Sequence, residues 1–487
     1  MFVNRCVLRL LVLPLTAVLS AFVLPAGASA DGHGDAAIEA RWVALGSAAG
    51  VLGAKLPPPA DAPYDVPGGR AMDFVGGSIF WSEATGAWDV RGTTLEAFLA
   101  AGGPAGTLGF PAAAAEPVGT TGAQFQVLTG GHIYSSTTTG AHAVQGAVLA
   151  KYLTAGGPGS RLGLPTTEET AVPGGTRTVF EGGQIYRSST AAVVVVGAIL
   201  KKYLALGTSA GFLGMPTSDE TSAAGGSRFS VFTGGRIYWS SATGAQDVHG
   251  AILKRYLAIG ETRSYLGLPT TGEYAVSGGR KNRFTGGHIV YRSGQGTVVT
   301  GTWRPSVQRV TAAQIPYTYR PGCPLGPAGL RRVMVPYYDW AGVPRHGELI
   351  TRTSAADDLQ RVFKRAFTAR FPIRQMRPVD VWKGSDIAAM AADNTSAFNC
   401  RKVTGNPYRL SQHSYGNAID INTVENPYVT SSRVYPTAGR AYLNRSKVRK
   451  GMIVGSGPIA RGMRAEGWPW GARWARPDYQ HFSANGG

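Results

Sequence analysis

A repeat of about fifty residues constrains the fold of this chain more than any other feature of its sequence. Each repeat begins with an amphipathic helical pattern, which is clearest in residues 197–206 and 250–259. A Leu-Gly-x-Pro turn follows the helix, and a Gly-Gly pair follows each turn at a similar spacing. Such a unit is too small to bury its own apolar face, so neighbouring units must pack on one another. The turns stand at Leu108–Pro111, Leu162–Pro165, Leu213–Pro216 and Leu266–Pro269, with a degenerate first copy at Leu52–Pro57.

These markers predict five units of helix, turn and hairpin between residues 35 and 302. The units resemble LGFP repeats, which occur in bacterial wall-associated proteins, and this resemblance implies that the region binds cell-wall polysaccharide. Five units favour a closed, propeller-like ring, with an open stack as the alternative. The hairpin aromatics Tyr134, Tyr186, Tyr238 and Trp239 are expected in the core, and sugar-stacking platforms are the second interpretation. No catalytic cluster recurs in the repeats.

The N-terminus predicts a signal peptide over residues 1–30. Arg5 and Arg9 precede an apolar run that ends at Leu24, and Ala28-Ser-Ala30 is typical of a cleavage site. A membrane anchor is the alternative, although the polar residues after Ala30 favour cleavage. No second apolar run is long enough to span a bilayer. We therefore expect a secreted, wall-associated protein without a membrane span after cleavage.

The net charge of +19 is concentrated in the C-terminal third. From Trp303 onward, 27 Lys and Arg stand against 11 Asp and Glu, a net of +16. Such a charge attracts polyanions, either nucleic acid or an anionic wall. Export and the lack of a nucleic-acid motif favour the wall, so no nucleic-acid partner is expected.

Two cysteines remain once Cys6 is removed with the signal peptide. An even number in an exported chain predicts a disulfide between Cys323 and Cys400. Two free buried thiols are the alternative.

The C-terminal part is expected to form an α+β domain over residues 327–487, preceded by a Pro-rich linker and domain start at 303–326. Val333–Tyr338 is a candidate strand. A helix is predicted from Ser354, as its N-cap, to about Arg370. One helix laid over a short mixed sheet is the simplest architecture for these elements.

A cluster of possible metal ligands follows in this domain. His413 and Asp420 flank Gly416, whose conformational freedom allows the two side chains to converge, and His481 provides a third ligand near the C-terminus. Two His and one carboxylate with an open fourth position are typical of hydrolytic zinc sites. Asp478 lies three residues before His481, close enough to contact the attacking water without binding the metal. Ordinary ion pairs between His and Asp are the alternative.

The pattern Ser-x-His-x-x-Gly-x-Ala-x-Asp, from Ser411 to Asp420, followed by Asp-x-x-His-Phe at Asp478–Phe482, resembles the M15 family of peptidoglycan metallopeptidases over residues 322–482. The Asp-x-x-His ending is similar to the L-alanyl-D-glutamate endopeptidase branch. The resemblance implies a Zn²⁺ peptidase that acts on the stem peptides of peptidoglycan, with Asp478 as general base. D-Ala-D-Ala carboxypeptidase activity and an inactive wall-binding scaffold are the alternatives.

The family also implies an arginine that holds the substrate, and here this chain departs from the pattern. Asn399 stands where that arginine is expected. Arg401 is the nearest replacement and Arg377 the second choice, while an ordinary solvated arginine is the alternative for either. The aromatic segment Trp468–Trp474 is suited to forming a wall of the cleft.

Overall fold

A computed structural model describes residues 30–119, 122–404 and 406–486. The predicted signal peptide lies outside these residues except for Ala30, where the first helix begins. None of the helices within the described ranges is long and apolar enough to cross a membrane.

The repeat region consists of helices that alternate with four-stranded antiparallel sheets, each with its strands in sequence order. Five such pairs lie within the described residues, and a closed ring of them stays a prediction. The helices are α1 Ala30–Ala44, α2 Gly92–Ala100, α3 Gly146–Thr154, α4 Gly197–Ala205 and α5 Gly250–Ala258. The strands that follow them in turn are β1 Tyr64–Val66, β2 Gly69–Phe74, β3 Gly77–Ser82 and β4 Gly86–Arg91; β5 Glu116–Val118, β6 Ala123–Leu128, β7 Gly131–Ser136 and β8 Gly140–Gln145; β9 Thr170–Val172, β10 Gly175–Phe180, β11 Gly183–Arg187 and β12 Ala192–Val196; β13 Thr221–Ser222, β14 Arg228–Phe232, β15 Gly235–Ser240 and β16 Gly244–His249; β17 Tyr274–Val276, β18 Gly279–Phe284, β19 Gly287–Arg292 and β20 Gly296–Gly301.

A tyrosine on the helix explains why the Leu-Gly-x-Pro turn recurs. The glycine of the turn has a positive φ, for example 64° at Gly214, which residues other than glycine rarely adopt. Its carbonyl accepts a hydrogen bond from a fully buried tyrosine of the preceding helix. The three pairs are Tyr152 with Gly163 at 2.6 Å, Tyr203 with Gly214 at 2.7 Å and Tyr256 with Gly267 at 2.5 Å.

The hairpin tyrosines belong to the core, as the sequence predicts. Tyr134, Tyr186 and Tyr238 are at most 1% exposed, so the alternative of sugar-stacking platforms is wrong for these three. Each ring packs edge-on against the tyrosine of the following helix, with centroids 5.3–5.6 Å apart. Trp239 is half-buried at the edge of the same kind of cluster.

The described residues form two compact units, and the boundary between the units lies inside the repeat region. One unit contains the described residues up to Thr170 together with Thr178–Glu181, and the other contains Ala171–Arg177 and the described residues from Gly182 onward. The last two sheets of the repeat region therefore share a unit with the C-terminal domain.

The C-terminal domain is α+β, with a three-stranded antiparallel sheet against two helices. Apolar residues of α6, such as Leu359 and Phe363, pack on Val333 and Leu349 of the sheet and on Ile459 of α8. The elements are β21 Ser306–Arg309, β22 Leu330–Tyr338, β23 Pro344–Arg352, α6 Ala356–Thr368, β24 Gln375–Met376, α7 Asp386–Ala391, β25 Asn394–Thr395, β26 Lys402–Val403, β27 Asn406–Leu410, β28 Ala418–Asp420, β29 Tyr428–Val429, β30 Val434–Tyr435, α8 Pro458–Ala465 and β31 His481–Ser483.

Within residues 303–326, β21 pairs with β22 and Ile315 is fully buried in a core cluster, so this segment is part of the packed domain start. The start of helix α6 differs from the prediction. Ser354 is not the N-cap of α6: it lies in a 3₁₀ turn, and Ala355 takes the cap position without a side-chain hydrogen bond.

A disulfide joins this first segment to the segment before the predicted ligands. Cys323 and Cys400 are bonded with their Cα atoms 6.0 Å apart, across 77 residues of sequence. Cys400 is buried in the same cluster as Ile315 and Phe398. The bond therefore ties the domain start to the wall of the site described below.

The last repeat sheet is packed directly against the C-terminal domain. The backbone N–H of Gly301 donates to the Tyr338 hydroxyl at 3.1 Å, and the Arg370 guanidinium donates to the Val299 carbonyl at 2.8 Å. The rings of Tyr265 and His346 lie 4.6 Å apart.

Replacing Gly301 tests this packing. An added Cβ would lie 2.8 Å from Pro344 Cβ and 2.9 Å from the Phe367 ring, so Gly301→Ala forces the two parts to separate. We expect a destabilisation of about 1–3 kcal/mol, seen as a lower midpoint of thermal unfolding. Gly455→Ala is the control, because a Cβ there meets no atom within 4 Å. Equal midpoints for the two variants would contradict the tight packing.

Candidate metal centre and cleft

Strand pairing brings Asp420 and His481 together. Strand β28 pairs antiparallel with β31, and Asp420 stands directly opposite His481 in this register. On its other side, the backbone of Asp420 exchanges two hydrogen bonds with Ser396, at 2.9 and 3.0 Å. The neighbouring pair Ile419 and Phe482 is fully buried in the core, so the alternation of the strands directs Asp420 and His481 to the opposite face.

A tight turn brings His413 to the same place. Gly416 has φ 61°, and a Cβ at this position would lie 2.7 Å from the backbone nitrogen of Arg352. Its carbonyl accepts a hydrogen bond from the Thr351 hydroxyl at 2.8 Å, which holds the turn against β23. The Nδ1 atom of His413 is hydrogen-bonded to the Ala397 carbonyl. Because a carbonyl only accepts, Nδ1 carries the proton and Nε2 is left free as a ligand atom.

The three predicted ligands converge on one another. An Asp420 oxygen lies 3.1 Å from His413 Nε2, and the other lies 3.0 Å from His481 Nδ1. The two imidazole nitrogens are 3.3 Å apart. All three residues are at least 93% buried, and their candidate ligand atoms lie within 4.8 Å of one another. Two imidazole nitrogens and a carboxylate oxygen form a donor set that suits Zn²⁺, so the residues fit the metal that the sequence predicts.

The charges of the cluster shift the pKa values of Asp420 and His413. Although burial alone would raise the pKa of Asp420, the charges of His413 and His481 and their hydrogen bonds hold it well below its usual range. Burial alone would lower the pKa of His413, but the Asp420 carboxylate raises it. A divalent cation between these atoms would take the place of the shared protons.

Asp478 lies beside the cluster in a buried position. Its backbone N–H donates to the Gly471 carbonyl at 3.0 Å, and its Oδ1 atom has no hydrogen-bond partner among the described residues. Burial raises the pKa of Asp478 to about 7, and the charge of Asp420 contributes to this rise. A carboxyl group with a pKa near neutrality can both accept and return a proton.

The cluster opens into a cleft of about 420 Å³. The Trp474 ring packs on His481, with centroids 5.4 Å apart, and forms part of the wall, as predicted for this aromatic segment. Trp468 is instead a core residue, only 2% exposed. The lining residues are Asp386, Met390, Arg401, Val403, Thr404, Arg409, Leu410, Ser411, Gln412, His413, Asp420, Tyr428, Trp474, Ala475, Arg476, Asp478, Gln480 and His481.

Arg401 lines this cleft, but its guanidinium is already engaged. Its Nη2 lies 2.8 Å from the carboxylate of Asp386, which also accepts a hydrogen bond from the Thr404 hydroxyl at 2.9 Å. Arg377, the second choice for this role, is exposed and is not among the lining residues. Asn399, at the position where the family has its arginine, is buried and donates to the Gly384 carbonyl at 3.2 Å.

Four lining residues carry no sequence signal that would have identified them. Asp386 starts a six-residue helix well before His413 in the sequence, and only the fold brings it to Arg401. Tyr428 reaches the cleft because its strand forms a bridge with Asp478. Arg409 and Arg476 resemble any other arginine in a domain with so many basic residues.

Known protein families account for two parts of the chain. A family model described as LGFP repeat matches residues 57–106, 108–160, 162–211 and 213–264, and the fifth sheet lies beyond the last match. A second model, described as D-alanyl-D-alanine carboxypeptidase, matches residues 404–484, which include His413, Asp420, His481 and Asp478. No curated protein matches the chain. The chain therefore carries four LGFP repeats over residues 57–264 and, over residues 404–484, a segment that matches the M15, D-alanyl-D-alanine carboxypeptidase-like, peptidase family.

Proposed function

We propose that this protein is a secreted, zinc-dependent peptidase that hydrolyses an amide bond in the peptide stem of peptidoglycan and is held at the wall by its repeats. The convergence of His413, Asp420 and His481 at the floor of a cleft is the observation that carries this proposal. The peptidase family match supports the same reaction class.

Zn²⁺ held by these three residues supplies Lewis-acid polarisation of the scissile carbonyl and lowers the pKa of water. The buried Asp478 takes a proton from the attacking water and passes it to the leaving amine, a role that suits its raised pKa. Arg401, which Asp386 holds in place, is proposed to stabilise the developing oxyanion or to bind a substrate carboxylate.

Two bonds are candidates for cleavage. The ending Asp478-Tyr-Gln-His481 is similar to the L-alanyl-D-glutamate endopeptidase branch, and we propose this specificity first. D-Ala-D-Ala carboxypeptidase activity is the second candidate, because the matching family model carries that description. Mass analysis of stem peptides digested by the purified protein separates the two, since they release different fragments.

Replacing a ligand tests the metal site. We expect His413→Ala, Asp420→Ala and His481→Ala each to remove stoichiometric zinc and peptidase activity together, because a three-ligand site cannot lose one donor and keep its affinity. Zinc is measured by elemental analysis of the purified protein and activity by release of new amino groups from peptidoglycan. A variant that kept full zinc and wild-type turnover would show that its residue is not a ligand.

Replacing Asp478 separates the proposed base from the ligands. Asp478→Asn keeps the shape of the side chain but cannot accept the proton, so we expect zinc to stay bound while turnover falls about 10²–10⁴-fold. Asn also preserves the local packing, so the fold should be unchanged in circular dichroism. Loss of zinc comparable to that of the ligand variants would make Asp478 a ligand and would contradict this division of roles.

The proposed wall attachment has its own test. A fragment of residues 35–302 should sediment with purified cell walls, be released by soluble wall polysaccharide and cleave nothing. Residues 303–487 hold +16 of the net charge and are the competing source of wall affinity. If the fragment stays in the supernatant while the whole chain sediments, the basic domain and not the repeats provides the attachment.

A further inference from the structure

Two arginines of the cleft are free of partners. Arg409, on β27, and Arg476, between Trp474 and Asp478, both line the cleft and are exposed. Within the described residues, neither side chain has a hydrogen bond or an ion pair. A guanidinium that is not committed to a protein partner remains available to a ligand.

Of the other charged groups that line the cleft, Arg401 and Asp420 are paired within the protein, and Asp478 is buried beside the cluster. The Arg401 guanidinium is paired with Asp386 at 2.8 Å. Asp420 lies between His413 and His481 and would be neutralised further by a divalent cation. Arg409 and Arg476 are therefore the exposed, unpaired positive charges among the described residues that line the cleft.

The two free arginines come from the two segments that also supply the ligands. Arg409 is four residues before His413, and Arg476 is five residues before His481. Both side chains line the same cleft as His413 and His481, so a peptide that fills this cleft has one guanidinium from each segment within its binding surface. Guanidinium groups bind carboxylates with paired, charge-assisted hydrogen bonds, which an uncharged carboxamide cannot reproduce.

We propose that Arg409 and Arg476 determine specificity by selecting peptides with free carboxylates next to the scissile bond over the same peptides with carboxamides. This inference rests on the proposed function and adds the chemical class of its substrate. Because both side chains are exposed, each contact is expected to change affinity by about 2–5-fold, and the two together by about 10-fold.

Binding to the whole protein measures this selection without turnover. The probes are L-alanyl-γ-D-glutamyl-L-lysine and the same peptide with both carboxylates converted to carboxamides. Calorimetric titration of zinc-loaded Asp478→Asn protein gives the ratio of the two dissociation constants. We expect the free acid to bind about 10-fold more tightly, and this preference to weaken as salt is added.

Matched variants assign the preference to these two residues. Arg409→Gln with Arg476→Gln, in the Asp478→Asn protein, should bring the ratio close to one. Arg473→Gln is the control, because Arg473 is also exposed, lies three residues from Arg476 and is not among the residues lining the cleft. It removes one positive charge and should leave the ratio unchanged.

Four results would overturn the inference, the last of them by rejecting the function on which it rests. If the ratio of the two dissociation constants is unchanged in the double variant, Arg409 and Arg476 do not cause the preference. The same conclusion follows if Arg473→Gln lowers this ratio as much as the double variant does. Hydrolysis of both peptides with equal kcat/KM by the unsubstituted protein removes the selection but leaves the peptidase intact. Failure of both peptides to bind or to be cleaved rejects the proposed stem-peptide function itself.

Discussion

The pairing of β28 with β31 is the interaction on which the site depends. Three residues of each strand pair antiparallel, and they place Asp420 opposite His481 although 61 residues separate the two in sequence. A slip of one residue would exchange the faces of the strand and turn Asp420 toward the core, where Ile419 now lies. The fully buried pair Ile419 and Phe482 opposes this slip, because exposing both side chains would cost several kcal/mol.

Burial of this small sheet also sets the chemistry. A carboxylate as deeply buried as Asp420 needs positive charge nearby, and two imidazoles alone provide it only when they are protonated. A divalent cation meets this need at every pH at which the imidazoles are neutral. Asp478 is similarly buried, but its Oδ1 atom has no hydrogen-bond partner among the described residues. Burial raises the pKa of Asp478 to about 7. The pKa of Asp420 is thus lowered and the pKa of Asp478 is raised, although both line the same cleft. The first change suits Asp420 for binding a cation, and the second suits Asp478 for transferring a proton.

Sequence reasoning predicted the parts of this structure that depend on local patterns. The turn glycines and helix tyrosines repeat at a constant spacing, so the order of helix, turn and hairpin in the repeats was predictable. His413, Gly416 and Asp420 lie within eight residues, so their convergence was predictable too. The packing of the last repeat sheet on the C-terminal domain could not be predicted. Its contacts, such as the one between Tyr265 and His346, join residues that no local sequence pattern relates. The partner of Arg401 was missed for the same reason: Asp386 lies on a separate helix, and only the fold brings their charges together.

X-ray absorption at the zinc edge tests most directly whether His413, Asp420 and His481 hold one zinc ion with an open coordination position. The purified whole protein should contain one zinc per chain, with two imidazole nitrogens, at least one carboxylate oxygen and a further light-atom ligand at about 2.0–2.2 Å. Sulfur ligands, more than two imidazoles, or the absence of stoichiometric zinc from protein prepared without chelators would contradict the account.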